Sequence, residues 1–310
     1  MTAKIKLTFL GTADQIPSAN RNHTSMLLTY GGENILIDCG EGTQRQFRKA
    51  HLNPCKITRI LITHWHGDHV LGLPGLLQTL AASDYNKTLY IYGPRWIKEQ
   101  IREMLKVFGF KKKYDIVVKE VMVPKGMTSR TKTGGLKFFE GKDFYLEAES
   151  MEHGVPTNAY NFVKVGQRRI DKAKLKKSKL PLGPLLKKIK EGKDVSYKGK
   201  KFKAKDLLYG EDDLKISFVL DTLNNKKIAP FVKDAKILVS ESSFGEELEA
   251  KATEHLHMTS KQVGTIAKKA KVEKLLLTHL SQRYENKPKK ILNQVKKVFR
   301  SAHLAKDLDV

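Results

Sequence analysis

Arg59-Ile60-Leu61-Ile62-Thr63-His64-Trp65-His66-Gly67-Asp68-His69 is the stretch on which the reading of this chain turns. Its first half is a short apolar run with the length and branching that a buried strand uses. Its second half packs three histidines and an aspartate into six residues, where the strand runs out into a turn. Imidazole nitrogen and carboxylate oxygen suit a borderline metal such as zinc, and a catalytic zinc needs only three protein ligands and an open position. Four donors this close together point to two metals. A lone loop histidine is usually just a solvated polar residue, but three with an aspartate at HxHxDH spacing are a ligand set.

Two metals require more donors than this motif carries, so further His or Asp residues are expected at the ends of other strands. Asp221 ends the run Ile216 to Leu220, His279 ends Leu275 to Thr278, and His153 follows the alternating stretch Phe144 to Met151. In open α/β sheets, sites form beyond the carboxyl ends of strands, so these distant positions can converge. An internal echo supports the idea: Arg59 to His64 resembles Lys274 to His279, each a buried strand delivering a histidine. His51, His255 and His303 lie in polar or lysine-rich surroundings and are read as solvated. His23, after Arg21-Asn22, is a weaker candidate for approaching a substrate.

Length alone favours about two domains. Ligands spread from position 64 to position 279 instead require both halves to fold together, as one domain over residues 1–310. The apolar stretch Val70 to Ala82 is too short to span a membrane and contains Pro74. No signal peptide is expected between Met1 and Gly11, where apolar residues alternate with lysine. Cys39 and Cys55 are too few for a disulfide scaffold, lack zinc-site spacing, and are read as reduced thiols of a cytoplasmic protein.

Strands are expected near Ile5 to Leu10, Ser25 to Tyr30 and Asn34 to Asp38, with Gly31-Gly32 as a hairpin turn. A strand at Thr88 to Tyr92, a helix from about Pro94 to Val107 and further strands up to about Val165 follow. The pattern resumes with strands at Lys215 to Leu220 and Lys236 to Val239, and helices near Glu246 to Ala252 and Ser260 to Ala270. Thr259 and Gln262 form a capping box for the second of these helices. A strand at Lys274 to Thr278 and a helix from Pro288 to Arg300 complete the chain. Sheet material flanked by helices in both halves implies a four-layer αβ/βα sandwich.

Between those halves lies a basic insert. The net charge is +25, and Lys164 to Asp206 holds 17 Lys and Arg against 4 Asp and Glu, over half of the excess in 43 residues. Such a segment releases counterions on meeting a phosphate backbone and so favours nucleic acid. Most lysine runs are solvated linkers. Here Leu180, Leu182, Leu185, Leu186 and Ile189 interleave with the lysines around Gly183-Pro184, and Phe202 and Leu207 follow. Residues 166–210 are therefore read as a small folded knob on flexible stalks, protruding as a basic arm.

Together with HxHxDH, three further segments carry a resemblance that covers nearly the whole chain. They are Asp38-Cys39-Gly40-Glu41-Gly42-Thr43-Gln44, the Pro17 to Asn22 loop ending in Arg-Asn, and Leu277-Thr278-His279-Leu280-Ser281-Gln282-Arg283-Tyr284. The chain resembles the RNase Z family of tRNA 3′-processing endonucleases, of the metallo-β-lactamase superfamily. HxHxDH alone marks only the superfamily. The resemblance implies the metallo-β-lactamase fold, and an arm with a Gly-Pro motif that grips tRNA, matching Gly183-Pro184. Where the family has His-Glu-Ala-Thr, this chain has Ser240-Glu241-Ser242-Ser243, keeping the glutamate but not the histidine before it. Where the family often has Gly-Asp-Thr, it has Leu220-Asp221-Thr222. His257-Met258-Thr259 matches the family's His-Ser-Thr, so His257 rather than His255 takes the catalytic position.

The resemblance implies two Zn2+ per subunit, with Mn2+ or Fe2+ fitting the same donors. His64, His66 and His153 would bind one ion, Asp68, His69 and His279 the other, with Asp221 bridging. Asp68 would orient the attacking water as general base. His257, positioned by Glu241, would protonate the leaving ribose oxygen. The expected activity is a zinc-dependent endoribonuclease removing the 3′ trailer from precursor tRNA by metal-activated water attack, leaving a tRNA 3′-hydroxyl and a trailer 5′-phosphate. A homodimer is also implied, each arm serving its partner's site. Two other readings are a hydrolase of small phosphodiesters or esters, with the insert aiding solubility or dimer contact, and a non-catalytic RNA-binding module. The complete ligand set speaks against the last.

Overall fold

The computed structural model describes residues 4–111, 113–123, 131, 134–166, 168–181, 183–210 and 212–310. Strands β1 (Ile5–Gly11), β2 (Ser25–Tyr30), β3 (Glu33–Ile37), β4 (Arg59–Leu61), β5 (Leu89–Gly93) and β6 (Ile116–Glu120) lie side by side in that order as one sheet. The first three are antiparallel, with Gly31 and Gly32 making the turn between β2 and β3, and Gly31 at a φ of 57°. From β3 to β6 the pairing is parallel.

The chain continues through β7 (Leu136–Glu140), β8 (Phe144–Met151) and β9 (Thr157–Lys164), then the insert strands β10 (Arg168–Ile170), β11 (Val195–Tyr197), β12 (Lys200–Phe202) and β13 (Leu208–Gly210). It closes with β14 (Leu214–Val219), β15 (Ile237–Glu241), β16 (Lys274–Thr278) and β17 (Ala302–Leu304). The second sheet runs β17-β16-β15-β14-β9-β8-β7.

Period-two alternation sorts each strand's side chains between two layers. Leu7, Phe9, Ile35, Ile37 and Leu61 from the first sheet meet Leu146, Tyr160, Phe162, Ile216 and Phe218 from the second, forming the central core. The intervening residues Leu10, Leu36 and Ile60 face the other way, onto Leu73, Leu76, Leu77, Leu80, Ile97 and Ile101 of two helices. Val219, Leu238, Leu275 and Leu277 likewise face Val263, Ile266, Ala267, Ile291 and Val295 of the helices on the far side. The result is the four-layer αβ/βα sandwich expected from the sequence.

Boundaries differ where tertiary contacts override local pattern. β15 runs past Val239 to Glu241 because it pairs in parallel with β16 along its whole length, ending at Glu241 opposite Thr278. The helix expected from Pro94 begins at Ile97, since Trp96 holds a φ of 73° that no helix can continue through. The last helix ends at Val298 rather than Arg300, because Phe299 is already extended. The capping box of Thr259 and Gln262 is present at the helix Ser260–Lys269. Among the described residues no helix is long and apolar enough to cross a membrane.

The insert builds a core of its own from Leu180, Ile189, Val195, Phe202, Ala204 and Leu207. Leu182 lies outside the described residues. Asp171 caps the helix Lys172–Ser178 by accepting from the N–H groups of Ala173 and Lys174, and Pro184 opens the helix Pro184–Lys190. Lys198 and Gly199, both at positive φ, turn β11 into β12. The stalk is an antiparallel ribbon of β10 and β13. Every lysine from Lys172 to Lys205 is exposed.

Candidate metal centre

The two sheets each deliver donors to the same edge. Beyond β4, Thr63 and His64 continue the chain and His66 becomes the residue before a one-turn helix, Gly67–Val70, that carries Asp68 and His69. The sequence reads this stretch as a turn; the helical turn is what points Asp68 and His69 to the same side. Gly40 permits this approach, because a Cβ there would lie 2.3 Å from the Asp68 carbonyl oxygen. His153 follows β8, Asp221 follows β14, and His279 follows β16 with a left-handed φ of 54° that turns it out of the strand.

Two clusters result. In one, His66 Nδ1 lies 3.0 Å from His64 Nε2 and 3.2 Å from His153 Nε2, with Asp221 Oδ2 3.7 Å from His64 and 3.9 Å from His153. In the other, Nε2 atoms of His69 and His279 are 3.3 Å apart and each lies 3.2 Å from Asp68 Oδ2. Asp221 joins this cluster too, 3.2 Å from His279 and 3.6 Å from His69. Within each group the donor atoms lie within 4.8 Å of one another. Asp221 is the residue common to both, as a bridging carboxylate would be.

Neighbours that hold the ring nitrogens fix what these rings offer. His69 Nδ1 donates to Asp38 Oδ2 at 2.7 Å, and His153 Nδ1 donates to the Leu256 carbonyl at 3.1 Å. His64 Nδ1 pairs with Thr63 Oγ1 at 3.1 Å, and His279 Nδ1 with Ser243 Oγ at 2.8 Å. With one nitrogen engaged, a ring in its neutral form turns a lone pair inward, the arrangement metal-ligating histidines use. Lone pairs facing one another repel unless a cation lies between them. The buried Asp221 Oδ1 also has no hydrogen-bond partner. The donor set therefore suits divalent metal.

Charge divides the rings: burial lowers His69 and His279, but Asp221, Asp38 and Asp68 outweigh it at His69 and hold that ring well above the ordinary histidine range, and Asp221 and Asp68 raise His279 in the same way. Burial and neighbouring rings hold His64 well below the ordinary histidine range, and burial lowers His66 and His153 as well, leaving all three neutral. Burial opposes ionisation of Asp68 and Asp221, but the surrounding imidazoles outweigh it and keep both carboxylates charged.

A third group adjoins the clusters. His257 Nδ1 donates to Glu241 Oε2 at 2.8 Å, while Glu241 Oε1 accepts from the Thr222 N–H at 2.9 Å. Glu241 is fully buried, whereas the His257 side chain is 15% exposed, so its other nitrogen is reachable. Burial works against a charged His257 ring, but Glu241 and then Asp221 overcome it and lift the pKa to about 9. Divalent cations held beside Asp221 would offset its share and leave the Glu241 contribution.

All nine sequence-derived site residues thus gather at one edge: His64, His66, Asp68, His69, His153, Asp221, Glu241, His257 and His279. His51, His255 and His303 are exposed. His23 is buried beneath Gly40, its Nε2 3.2 Å from the Gln15 carbonyl oxygen, and does not face outward. Sequence reasoning assigned no role to Asp38, Thr63 or Ser243. Asp38 and Ser243 stand in segments quoted for their resemblance, but their contacts to His69 and His279 span 31 and 36 residues.

A family model described as Anti-Pycsar protein Apyc1 matches residues 5–119. The chain is 35% identical over 307 residues to the ribonuclease Z of Archaeoglobus fulgidus, covering 97% of this chain and 95% of that one. It is 36% identical over 313 residues to the ribonuclease Z of Listeria welshimeri, covering 99% and 98%. Among solved structures, human tRNase Z, short form, superposes with a TM-score of 0.71 at 25% identity, over 99% of this chain and 98% of that one. The metallo-beta-lactamase fold protein YhfI from Bacillus subtilis superposes with a TM-score of 0.68 at 20% identity, over 98% and 97%, and shares the fold.

Proposed function

The chain belongs to the ribonuclease Z family, and from that premise we propose that it removes the 3′ trailer from precursor tRNA, leaving a 3′-hydroxyl on the tRNA and a 5′-phosphate on the trailer. The observation that carries this reading is one edge holding two metal-ligand clusters, a shared Asp221 and the adjoining His257–Glu241 pair. Two divalent ions, zinc by donor type with manganese or iron also accommodated, would when bound supply Lewis acidity for water activation and for offsetting transition-state charge. His64, His66 and His153 would hold one, Asp68, His69 and His279 the other, with Asp221 shared between them. Asp68, held charged, orients the attacking water as general base.

The ribose 3′-oxygen is a poor leaving group unless it is protonated as the bond breaks. His257 Nε2 delivers that proton, and Glu241 fixes the ring by holding Nδ1. Residues 166–210 act as the tRNA-binding arm of a single domain over residues 1–310, their exposed lysines meeting phosphates of the tRNA body. Two unpaired cysteines fit a cytoplasmic setting. Mapping the cut on one precursor tRNA bearing a trailer, with and without chelator, tests the reading. Metal-dependent cleavage just after the acceptor stem, with the stated ends, supports it; cleavage elsewhere or 3′-phosphate products exclude it.

We propose further that the chain acts as a homodimer. Leu71, Trp96, Val107 and Phe108, each from 45% to 76% exposed, surround with Trp65 a cleft of about 620 Å3 beside the HxHxDH turn. Isolated exposed apolar residues are ordinary, but a contiguous group is costly to leave in water. Val107→Glu combined with Phe108→Glu is expected to convert dimer to monomer on sedimentation. An unchanged dimer removes this surface from the assembly.

A further inference from the structure

The two clusters draw His64, His66, Asp68 and His69 from the first sheet and His153, Asp221 and His279 from the second, so the alignment of the sheets at this edge sets the mouth of the site. A C-terminal segment ties them there. The Ala305 N–H donates to the Leu277 carbonyl of β16 at 2.9 Å, while the Leu308 N–H donates to the Phe9 carbonyl of β1 at 2.7 Å. Between these anchors Asp307 gathers three donors from the other side of the edge. Thr12 Oγ1 donates to its Oδ1 at 2.7 Å, and the Asn22 N–H and Gln46 Nε2 donate to its Oδ2 at 2.7 and 2.9 Å.

Those contacts bracket the loop between β1 and β2. Its inner wall lies against the residue after His279: the Leu280 N–H donates to the Thr12 carbonyl at 3.0 Å, and Ala13 bridges to both His23 and Leu280. Arg21, buried, donates from Nη1 to Thr12 Oγ1 at 2.6 Å and to the Ala305 carbonyl at 2.9 Å. Outward, Gln15, Ile16, Pro17, Ala19 and Asn20 are exposed. A loop carrying so many exposed residues beside a metal ligand has little reason to hold one position unless its base is clamped.

We propose that Asp307 is a positioning residue, a C-terminal latch that sets the Thr12 to Asn22 loop at the mouth of the site and thereby the register in which an RNA substrate is cut. Asp307 is joined to the site through Thr12 and Leu280 and touches no metal ligand itself. The inference rests on the tRNA reading above. Cleavage of a trailer-bearing precursor tRNA and of a chromogenic small phosphodiester would be measured side by side for wild type and variants, with bound zinc quantified in each.

Asp307→Ala is expected to raise KM for the precursor roughly ten- to a hundredfold, the range that losing a charge-assisted hydrogen bond implies. It should also spread the cut over neighbouring nucleotides, while zinc content and small-phosphodiester hydrolysis stay at wild-type values. Thr12→Val, which removes the hydroxyl at constant shape, should reproduce the effect, and Thr12→Ser should restore wild-type behaviour. If Asp307→Ala does not fold, the Thr12 pair decides. Wild-type KM and cut position in Thr12→Val, or an equal loss on both substrates, would overturn the latch. A wild-type protein that leaves precursor tRNA uncut would instead overturn the tRNA reading.

Discussion

Replacing His257 with alanine is expected to slow precursor cleavage by roughly 100- to 10,000-fold, the usual worth of acid–base assistance, with metal content unchanged. The expectation follows from where the ring sits. Its Nδ1 is committed to Glu241, its other nitrogen lies 3.9 Å from Asp221, and its donor group is shared with Glu241 and His279 and not with His64, His66, Asp68, His69 or His153. On the proposed reading, loss of the ring removes a proton donor and leaves the seven proposed ligands in place. Metal analysis together with single-turnover cleavage checks this, and loss of metal in the variant would assign His257 to the ligand set instead. A substrate whose leaving group needs no proton, such as a nitrophenyl phosphodiester, should be far less affected.

The pH profile gives a second handle on the same pair. Glu241 stabilises the charged ring, so the proton donor is present below its pKa and is lost as pH rises through it. Glu241→Gln removes that stabilisation and should move the alkaline limb of the rate profile to lower pH. An unmoved limb would mean that another group titrates there.

The second large effect concerns the arm. The stalk leaves the sheet where Lys164 of β9 sits directly opposite Leu214 of β14, with Gly166 donating its N–H to Asp213 at 2.8 Å. A short turn can therefore replace residues 167–210 without disturbing either strand, and the arm's apolar core leaves with it. Gln167, at the start of the excised segment, lies outside the described residues. The shortened protein should hydrolyse a small phosphodiester as the full chain does, yet its affinity for precursor tRNA should fall by roughly 100-fold or more. Salt dependence sharpens the test: each phosphate that the arm engages contributes about 0.7 to 0.9 to the slope of log affinity against log salt. The slope should fall along with the affinity. Equal loss on both substrates would mean the replacement had damaged the site, and no loss on tRNA would make the insert a solubility or contact feature.

The candidate ligands His64, His153, Asp221 and His279 are legible because each closely follows a strand. A run such as Leu275 to Thr278 declares a buried strand by composition, and a histidine at its end has left the core but stays at the sheet's edge. The same logic located His64, His153 and Asp221. His257 and Glu241 came from resemblance. No local pattern marks Glu241, because β15 was expected to stop at Val239 and reaches Glu241 only by pairing with β16.

The sequence by itself determined the candidate donors: their types and the strand ends that carry them are local properties, set by side-chain composition and period. It also determined the layer architecture, since alternation fixes which faces must be buried. Only the tertiary structure decided which nitrogen each histidine turns inward, because Asp38, Ser243 and the Leu256 carbonyl reach their rings across gaps of 31 to 103 residues. It alone decided that Asp221 is common to both clusters, and that the segment from Ala305 to Leu308 reaches both sheets beside them. Those facts depend on how two separately patterned sheets align against one core, and that alignment is a property of the packed whole.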